Sequence, residues 1–286
     1  KWAHDLVHRQ GVGYRLAGVP EMARWLPSLL SATGAGAGIV DCSARLMASP
    51  VGGAAELTST AREFVAYGPS YWSAIAVFAV GAVLLIWLGR RQTETAARRF
   101  GRIGGALTAL LYLGASVNAL IPPSIDGSVP LHLTDLATLS AAYALWSQRQ
   151  WAFALTYYWG LVLSVQALIS PVLTGPDFPH YQFLGFWAIH LLVVWAAIYL
   201  TWGRRMRPTW RSYRTAVTVT AVWVGITITF NTIAGTNYGF LNRKPANASL
   251  LDLMGPWPVY LLIGSALVAT VWAAMTWPWS LMKRPT

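Results

Sequence analysis

The run VPLHLTDLA, residues 129–137, places a histidine, a hydroxyl and a carboxylate within one helical turn, at His132, Thr134 and Asp135. These residue types suit acyl chemistry, since a hydroxyl nucleophile activated by a histidine is a recognised route to a covalent acyl intermediate. The rest of the run is apolar and continues into a segment long enough to lie in lipid. Ionisable residues inside a membrane are costly, so the run favours a functional interpretation.

Helical geometry limits which of these side chains can act together. His132 and Asp135 share a helical face, so Asp135 can orient the imidazole or be neutralised by it. Thr134 lies about 200° from His132 around an ideal helix and needs a base from another segment. His190 is the only other histidine in a predicted span, which suggests Thr134 as nucleophile and His190 as base. The alternative is a Thr134 hydroxyl that bonds the carbonyl four residues earlier in its own helix.

The composition predicts a polytopic membrane protein. Of the 286 residues, 55% are hydrophobic and 11% are charged, whereas soluble domains usually carry about 25% charged residues. The net charge of +11 does not indicate nucleic-acid binding, because the positive charges lie in short loops between apolar segments. The single cysteine, Cys42, excludes an intrachain disulfide and a multi-cysteine metal site.

Seven apolar segments of roughly 17–25 residues predict an all-α membrane bundle of about seven transmembrane helices. They lie near 72–89, 103–121, 131–147, 151–173, 183–202, 214–234 and 257–277. The loops after the first and fifth segments carry five arginines each, while the second-to-third and fourth-to-fifth loops carry no Lys or Arg. The positive-inside rule therefore predicts an outside N-terminus and a cytoplasmic C-terminus in a multi-pass protein of the cell membrane.

Residues 1–60 are interpreted separately from the seven-helix domain at 61–286. They are rich in Ala, Gly and Ser, begin with Lys rather than Met and show no convincing periodicity. The apolar run from Trp25 to Val40 is broken by Pro27 and by glycines, which argues against a span. We predict a poorly structured N-terminal arm, or upstream sequence included by a misassigned start.

Polar residues from several predicted spans fall in the same outer half of the bilayer. At 1.5 Å per residue, Gln166 lies about 8 Å and His190 about 10 Å below the outer ends of their spans. Asn231 lies within about one turn of the outer end of the sixth span. This arrangement predicts a polar cavity open to the outer side, with Gln166 and Asn231 as candidate oxyanion donors. The alternative is that these side chains bond between helices for packing.

The loop at 235–260 carries further polar side chains, among them Asn237 and the basic pair Arg243 and Lys244. This pair can meet a lipid phosphate, with a solvated basic turn as an equally good alternative. The two buried histidines and the aspartate lack local metal-ligand spacing, so neither a metal nor a cofactor is predicted. Gly101 and Gly105 form a G-x-x-x-G pattern that favours helix packing over phosphate binding.

Several strings resemble the YwaF-like integral membrane proteins, which look like the bacterial branch of the transmembrane protein 164 family. They are PLHLTDLA, YYWGLVLSVQALISP with FPHYQFLGFWAIH, and NYGFLNRKPANASLLDLMGPWPVY. The resemblance covers roughly residues 60–280. The vertebrate relative is regarded as an acyltransferase that moves fatty acyl chains between phospholipids with a cysteine and a histidine, and His190 matches that histidine.

The sequence departs from the family at the nucleophile. Many relatives place a cysteine where this chain has Leu131 and Thr134. A distantly similar group, the androgen-induced integral membrane hydrolases, uses a threonine and a histidine, so the resemblance remains compatible with Thr134.

We therefore predict a membrane-embedded lipid acyl hydrolase or acyltransferase with Thr134 as nucleophile, His190 as base and membrane lipids as partners. The predicted supporting or substrate-binding residues are His132, Asp135, Gln166, Asn231, Asn237, Arg243 and Lys244. The alternative is a transporter or lipid-handling protein whose polar outer cavity binds without chemistry. The sequence shows no visible repeat, which argues mildly against an inverted-repeat transporter.

Overall fold

The computed structural model describes residues 62–120, 122–171, 173, 175–244 and 250–282. Within them the chain forms seven long helices: α1 Pro69–Arg91, α2 Glu94–Ala119, α3 Leu133–Ser147, α4 Gln150–Ile169, α5 Tyr181–Gly203, α6 Trp210–Ala234 and α7 Val259–Leu281. Two short 3₁₀ turns, Tyr238–Phe240 and Leu250–Met254, lie between α6 and α7. The N-terminal arm predicted at 1–60 lies outside the described residues.

The prediction of an all-α membrane bundle with about seven helices is confirmed. Six of the helices are long and apolar enough to cross a membrane. The exception is α3, which has 15 residues and is about 22 Å long, against a hydrocarbon core of about 30 Å. It begins at Leu133 and not at the predicted residue 131, and the residues directly before it are not helical.

The core of the bundle is formed by α4 and α5, whose side chains are mostly buried, whereas α1, α2, α6 and α7 are mostly exposed on their apolar faces. The short helix α3 packs against α2, α4 and α5. Both central helices contain a π-helical stretch, Trp159–Ser164 in α4 and Tyr199–Gly203 in α5. Such stretches in α-helices are frequent at functional sites, and these two lie in the most buried part of the molecule.

The ends of α6 show how local sequence sets the helix limits. The Thr209 side chain precedes the helix and accepts a hydrogen bond from the backbone N–H of Ser212 at 3.1 Å, as preferred N-cap residues do. Gly235 follows the helix with φ of +72°, a conformation that glycine adopts without steric cost. The loop that follows can therefore turn back over the end of the bundle.

The two glycines of the G-x-x-x-G pattern are used for packing, as the sequence predicted. They lie on the face of α2 that meets α3, where a Cβ on Gly101 would collide with the carbonyl oxygen of Leu145. A Cβ on Gly105 would lie 2.5 Å from the carbonyl oxygen of Ala142. Both obstacles are backbone atoms, so α3 can approach α2 this closely only because these positions lack side chains.

Replacing Gly105 with alanine is expected to destabilise the bundle by about 1–3 kcal/mol, because the backbones of α2 and α3 must move apart. The measurement is the thermal unfolding of the detergent-solubilised protein. The matched control is Gly114→Ala in the same helix, where the added Cβ meets no atom within 4 Å. That variant should be unchanged or slightly more stable, and equal losses in both variants would contradict the packing role.

The orientation of the bundle stays a prediction from the two arginine clusters, which the structure places largely in the ends of the helices around the α1–α2 and α5–α6 connections. We expect a reporter fused after Thr286 to be cytoplasmic and a tag between Pro122 and Pro130 to be accessible from outside intact cells. Protection of the second tag in intact cells would reverse the orientation. The end of the bundle where α3 begins is called the outer end below, after this prediction.

Candidate functional site

Asp135 holds the chain at the start of α3. Its Oδ2 atom accepts a hydrogen bond from the backbone N–H of His132 at 3.1 Å, which is half of a capping box. The Tyr112 hydroxyl of α2 bonds the same carboxyl group. Asp135 thus bonds the backbone of His132. This bond fixes the start of α3, where His132 and Thr134 lie.

Thr134 carries a buried hydroxyl that has no hydrogen-bond partner within the described residues. Its side chain is 9% exposed. The alternative of a bond to its own helix fails because Thr134 is the second residue of α3, so the carbonyl four residues back precedes the helix. The next turn shows that pattern instead, with Thr138 Oγ1 donating to the Thr134 carbonyl at 2.8 Å.

His190 lies in the middle of α5 and is 1% exposed. Its Nδ1 atom is 2.7 Å from the carbonyl oxygen of Phe186, one turn earlier. Because a carbonyl only accepts, Nδ1 carries the proton of the neutral ring and Nε2 carries the lone pair. Nε2 has no hydrogen-bond partner among the described residues. The helix itself therefore orients the imidazole with a basic nitrogen available.

Thr134 and His190 lie on helices that pack against each other, α3 and α5. No hydrogen bond joins them, since Thr134 Oγ1 and His190 Nε2 both lack a partner within the described part of the chain. Buried polar atoms are usually hydrogen-bonded, and other buried hydroxyls such as Thr201 Oγ1 and Thr227 Oγ1 also lack a partner among the residues that the structure describes. Thr134 and His190 differ in that they combine a hydroxyl and an imidazole on two helices that pack together. The same described residues contain no group of three or more His, Cys, Asp or Glu side chains placed to hold a metal ion.

Asn231 anchors the loop that follows α6. Its Oδ1 accepts from the Tyr238 backbone N–H and from the Thr236 hydroxyl, both at 2.8 Å. Its Nδ2 donates to the Tyr238 carbonyl at 2.9 Å and to Asn242 Oδ1 at 3.3 Å. Both amide hydrogens of Asn231 are therefore used in hydrogen bonds to the loop. Gln166, the other predicted oxyanion donor, is buried near the end of α4.

Replacing Asn231 with leucine is expected to lower the free energy of unfolding by about 3 kcal/mol or more, because several buried polar groups of the loop lose their partner at once. Thermal unfolding of the solubilised protein measures the effect. The control is Thr229→Val on the same helix, whose exposed hydroxyl bonds only the Gly225 carbonyl. An Asn231→Leu variant as stable as this control would rule out the anchoring role.

The remaining predicted binding residues organise the same loop. Asn237 Oδ1 accepts from the backbone N–H groups of Asn242 and Arg243, and its Nδ2 donates to the Arg243 carbonyl at 2.9 Å. The Arg243 side chain is exposed. Lys244 Nζ lies 3.6 Å from Asp252 Oδ1 and 5.7 Å from the ring centroid of Tyr260. The basic pair is thus divided between an exposed arginine and a lysine paired inside the loop.

Two aromatic residues that the sequence did not single out connect this loop to the start of α3. The Tyr238 hydroxyl donates to the Ile125 carbonyl at 2.7 Å, and its ring centroid is 4.7 Å from that of His132. Trp223 Nε1 of α6 donates to the Leu131 carbonyl at 3.0 Å. Tyr238 stands in the string NYGF of the last family motif, but the residues that its side chain contacts at the start of α3, Ile125 and His132, are more than 100 residues away in sequence.

A cavity of about 330 Å³ lies between α6 and α7. His132 and Leu133 line its outer end, and Leu163 of α4 and Trp272 of α7 line it further in. Most of the lining is apolar, which differs from the polar cavity expected from the sequence. Thr134, His190, Gln166 and Asn231 are not among the lining residues. The Asn231 amide is instead bonded to the loop after α6.

The helical fold and the buried polar residues define a multi-pass integral membrane protein. A model of the TMEM164 family matches residues 66–276, most of the chain. The chain therefore belongs to the TMEM164 family, as the resemblance of its motifs implied. Comparisons with curated proteins and with solved structures found no match.

Proposed function

We propose that this protein is a lipid acyl hydrolase or acyltransferase of the cell membrane, with Thr134 as nucleophile and His190 as general base. One observation supports this function above the others. The two atoms that would react, Thr134 Oγ1 and His190 Nε2, are buried on adjacent helices and have no hydrogen-bond partner among the described residues. Each buried polar atom left without a partner costs about 1–3 kcal/mol, and the combination of a hydroxyl and an imidazole on packed helices favours chemistry over packing.

The proposed reaction proceeds through an acyl-enzyme. Thr134 Oγ1 attacks the carbonyl carbon of a lipid ester while His190 Nε2 takes the hydroxyl proton. The tetrahedral intermediate collapses, the ester bond to the lipid alcohol breaks, and the imidazolium returns the proton to the leaving oxygen. Water or a second lipid alcohol then attacks the acyl-Thr134 ester while His190 takes its proton, the bond between the acyl carbon and Thr134 Oγ1 breaks, and the imidazolium returns the proton to Oγ1. Water gives hydrolysis, and a lipid alcohol gives acyl transfer.

The supporting residues act through position. The bond from His190 Nδ1 to the Phe186 carbonyl keeps Nε2 as the acceptor, and Asp135 holds the start of α3. Gln166 remains the proposed oxyanion donor, whereas the Asn231 amide hydrogens are already used by the loop. The contact between Thr134 and His190 is expected to form when the substrate is bound, because catalytic hydrogen bonds often tighten only in that complex.

Activity-based labelling of the full-length protein in membranes tests this proposal. The probe is a fluorophosphonate that carries a long alkyl chain and reacts with an activated hydroxyl. We expect wild-type protein to be labelled and Thr134→Ala to be unlabelled. The matched control is Thr138→Ala one turn later, whose hydroxyl bonds its own helix, and it should label like wild type. Equal labelling of Thr134→Ala and wild type would overturn the proposal.

A further inference from the structure

The α6–α7 cavity has the properties of a binding site for one hydrocarbon chain. We infer that it binds a single acyl chain of a membrane lipid, with the polar end of the lipid at His132 and the methyl end toward Trp272. The inference rests on the proposed function for the identity of the lipid as substrate. The binding step itself requires no turnover.

The walls of the cavity are mostly apolar where a chain would lie, with Thr220 and Ser265 as polar exceptions. Side chains such as Val217, Val224, Leu261 and Val268 face it from α6 and α7. Its volume of about 330 Å³ falls in the range of natural small-molecule sites. An ionisable residue stands at the outer end, where His132 is buried against Tyr238. A lipid with an apolar chain and a polar carbonyl end matches this distribution.

The depth of the cavity is close to the thickness of one leaflet, which is the length that one acyl chain spans. Tyr260 and Trp272 both line it and stand twelve residues apart on α7, which corresponds to about 18 Å along the helix. One leaflet of the hydrocarbon core is about 15 Å thick. A chain that enters at the outer end would therefore extend to about the level of Trp272, which is 1% exposed.

The α6–α7 cavity is open although several of its lining residues are small enough to allow close helix packing. Gly264, Ser265 and Ala269 line it from α7 and Ala221 lines it from α6. Small residues usually let membrane helices approach closely, yet here they face an open volume. The outer end adjoins the proposed reaction centre in sequence, since His132 and Leu133 line the cavity and Thr134 follows directly.

Photo-crosslinking tests the inference with the full-length Thr134→Ala protein in nanodiscs. The probe is a phosphatidylcholine with a diazirine near the methyl end of one chain, and adducts are located by mass spectrometry. We expect adducts in the lining segments of α6 and α7 that are competed by unlabelled lipid. Adducts that resist competition and are as frequent on exposed α1 as in the cavity would show only surrounding lipid and would overturn the inference.

Filling the cavity provides the decisive variant. A Cβ on Gly264 would meet only Met254 Sδ, at 4.0 Å, so Gly264→Leu can place its Cβ without a backbone collision and extend its side chain into the cavity that Gly264 lines. It should reduce the cavity adducts about tenfold or more. The matched control is Gly225→Leu, an exposed α6 position outside the lining where a Cβ meets nothing within 4 Å. Equal adducts in both variants would overturn the inference.

A second filling variant, Ala269→Phe, keeps the test valid if Gly264→Leu fails to fold. The two proposals fail separately. Competed cavity adducts together with wild-type probe labelling of Thr134→Ala would overturn the catalytic proposal and leave the chain site. Loss of probe labelling in Thr134→Ala together with an absence of cavity adducts would support the catalytic proposal and overturn the chain site.

Discussion

Thr134→Ala is expected to lower the release of a labelled acyl chain from phospholipid by about 10³-fold or more, since removal of a nucleophile leaves only binding and oxyanion stabilisation. The measurement uses purified protein with a phospholipid that carries a labelled ester-linked chain. Label in free fatty acid identifies hydrolysis, and label on a second lipid identifies acyl transfer. Circular dichroism and thermal unfolding should show that the variant is folded.

Thr134→Ser and Thr134→Cys provide the chemical controls. Both keep a nucleophilic atom at the same position, so each should retain turnover well above Thr134→Ala. The cysteine variant should also become sensitive to thiol alkylation, a property that Thr134→Ser lacks. Turnover of Thr134→Ala equal to that of Thr134→Ser would show that the hydroxyl is not the nucleophile, and the buried polar atoms would then serve binding alone.

His190→Ala is expected to slow turnover by about 10²–10⁴-fold, the usual contribution of a positioned general base. The effect should appear in kcat, because His190 is proposed to act on the Thr134 proton and not to hold the lipid chain. Pre-steady-state measurement of acyl-Thr134 formation should show the same loss. Crosslinking of the lipid chain should be unchanged.

His180→Ala is the matched histidine control. His180 precedes α5, where its Nδ1 accepts from the Gln182 backbone N–H at 3.3 Å, so it lies at the end of the helix that carries His190. Its replacement should leave the rate close to wild type at a small loss of stability. A His190→Ala protein that is folded and turns over as fast as His180→Ala would remove His190 from the mechanism.

The sequence was sufficient for the bundle because lipid leaves the backbone few choices. Each apolar segment must satisfy its own hydrogen bonds and therefore becomes a helix, so hydropathy alone predicts α1, α2 and α4 to α7. The Gly101 and Gly105 spacing likewise predicted a packed surface on α2. The length of α3 was not predictable in this way, because His132 and Asp135 begin that helix through a local cap inside an apolar run.

The sequence by itself determined the membrane class and the limits of most helices and predicted the burial of Thr134 and His190, but α2 begins at Glu94 and not at the predicted residue 103. Only the tertiary structure decided which polar residues are structural, because that depends on partners distant in sequence. The sequence suggested Asn231 as an oxyanion donor, whereas in the structure its amide is bonded to the loop after α6. The apolar cavity also required the fold, since two apolar helix faces reveal only in three dimensions whether they touch or leave room for a lipid chain.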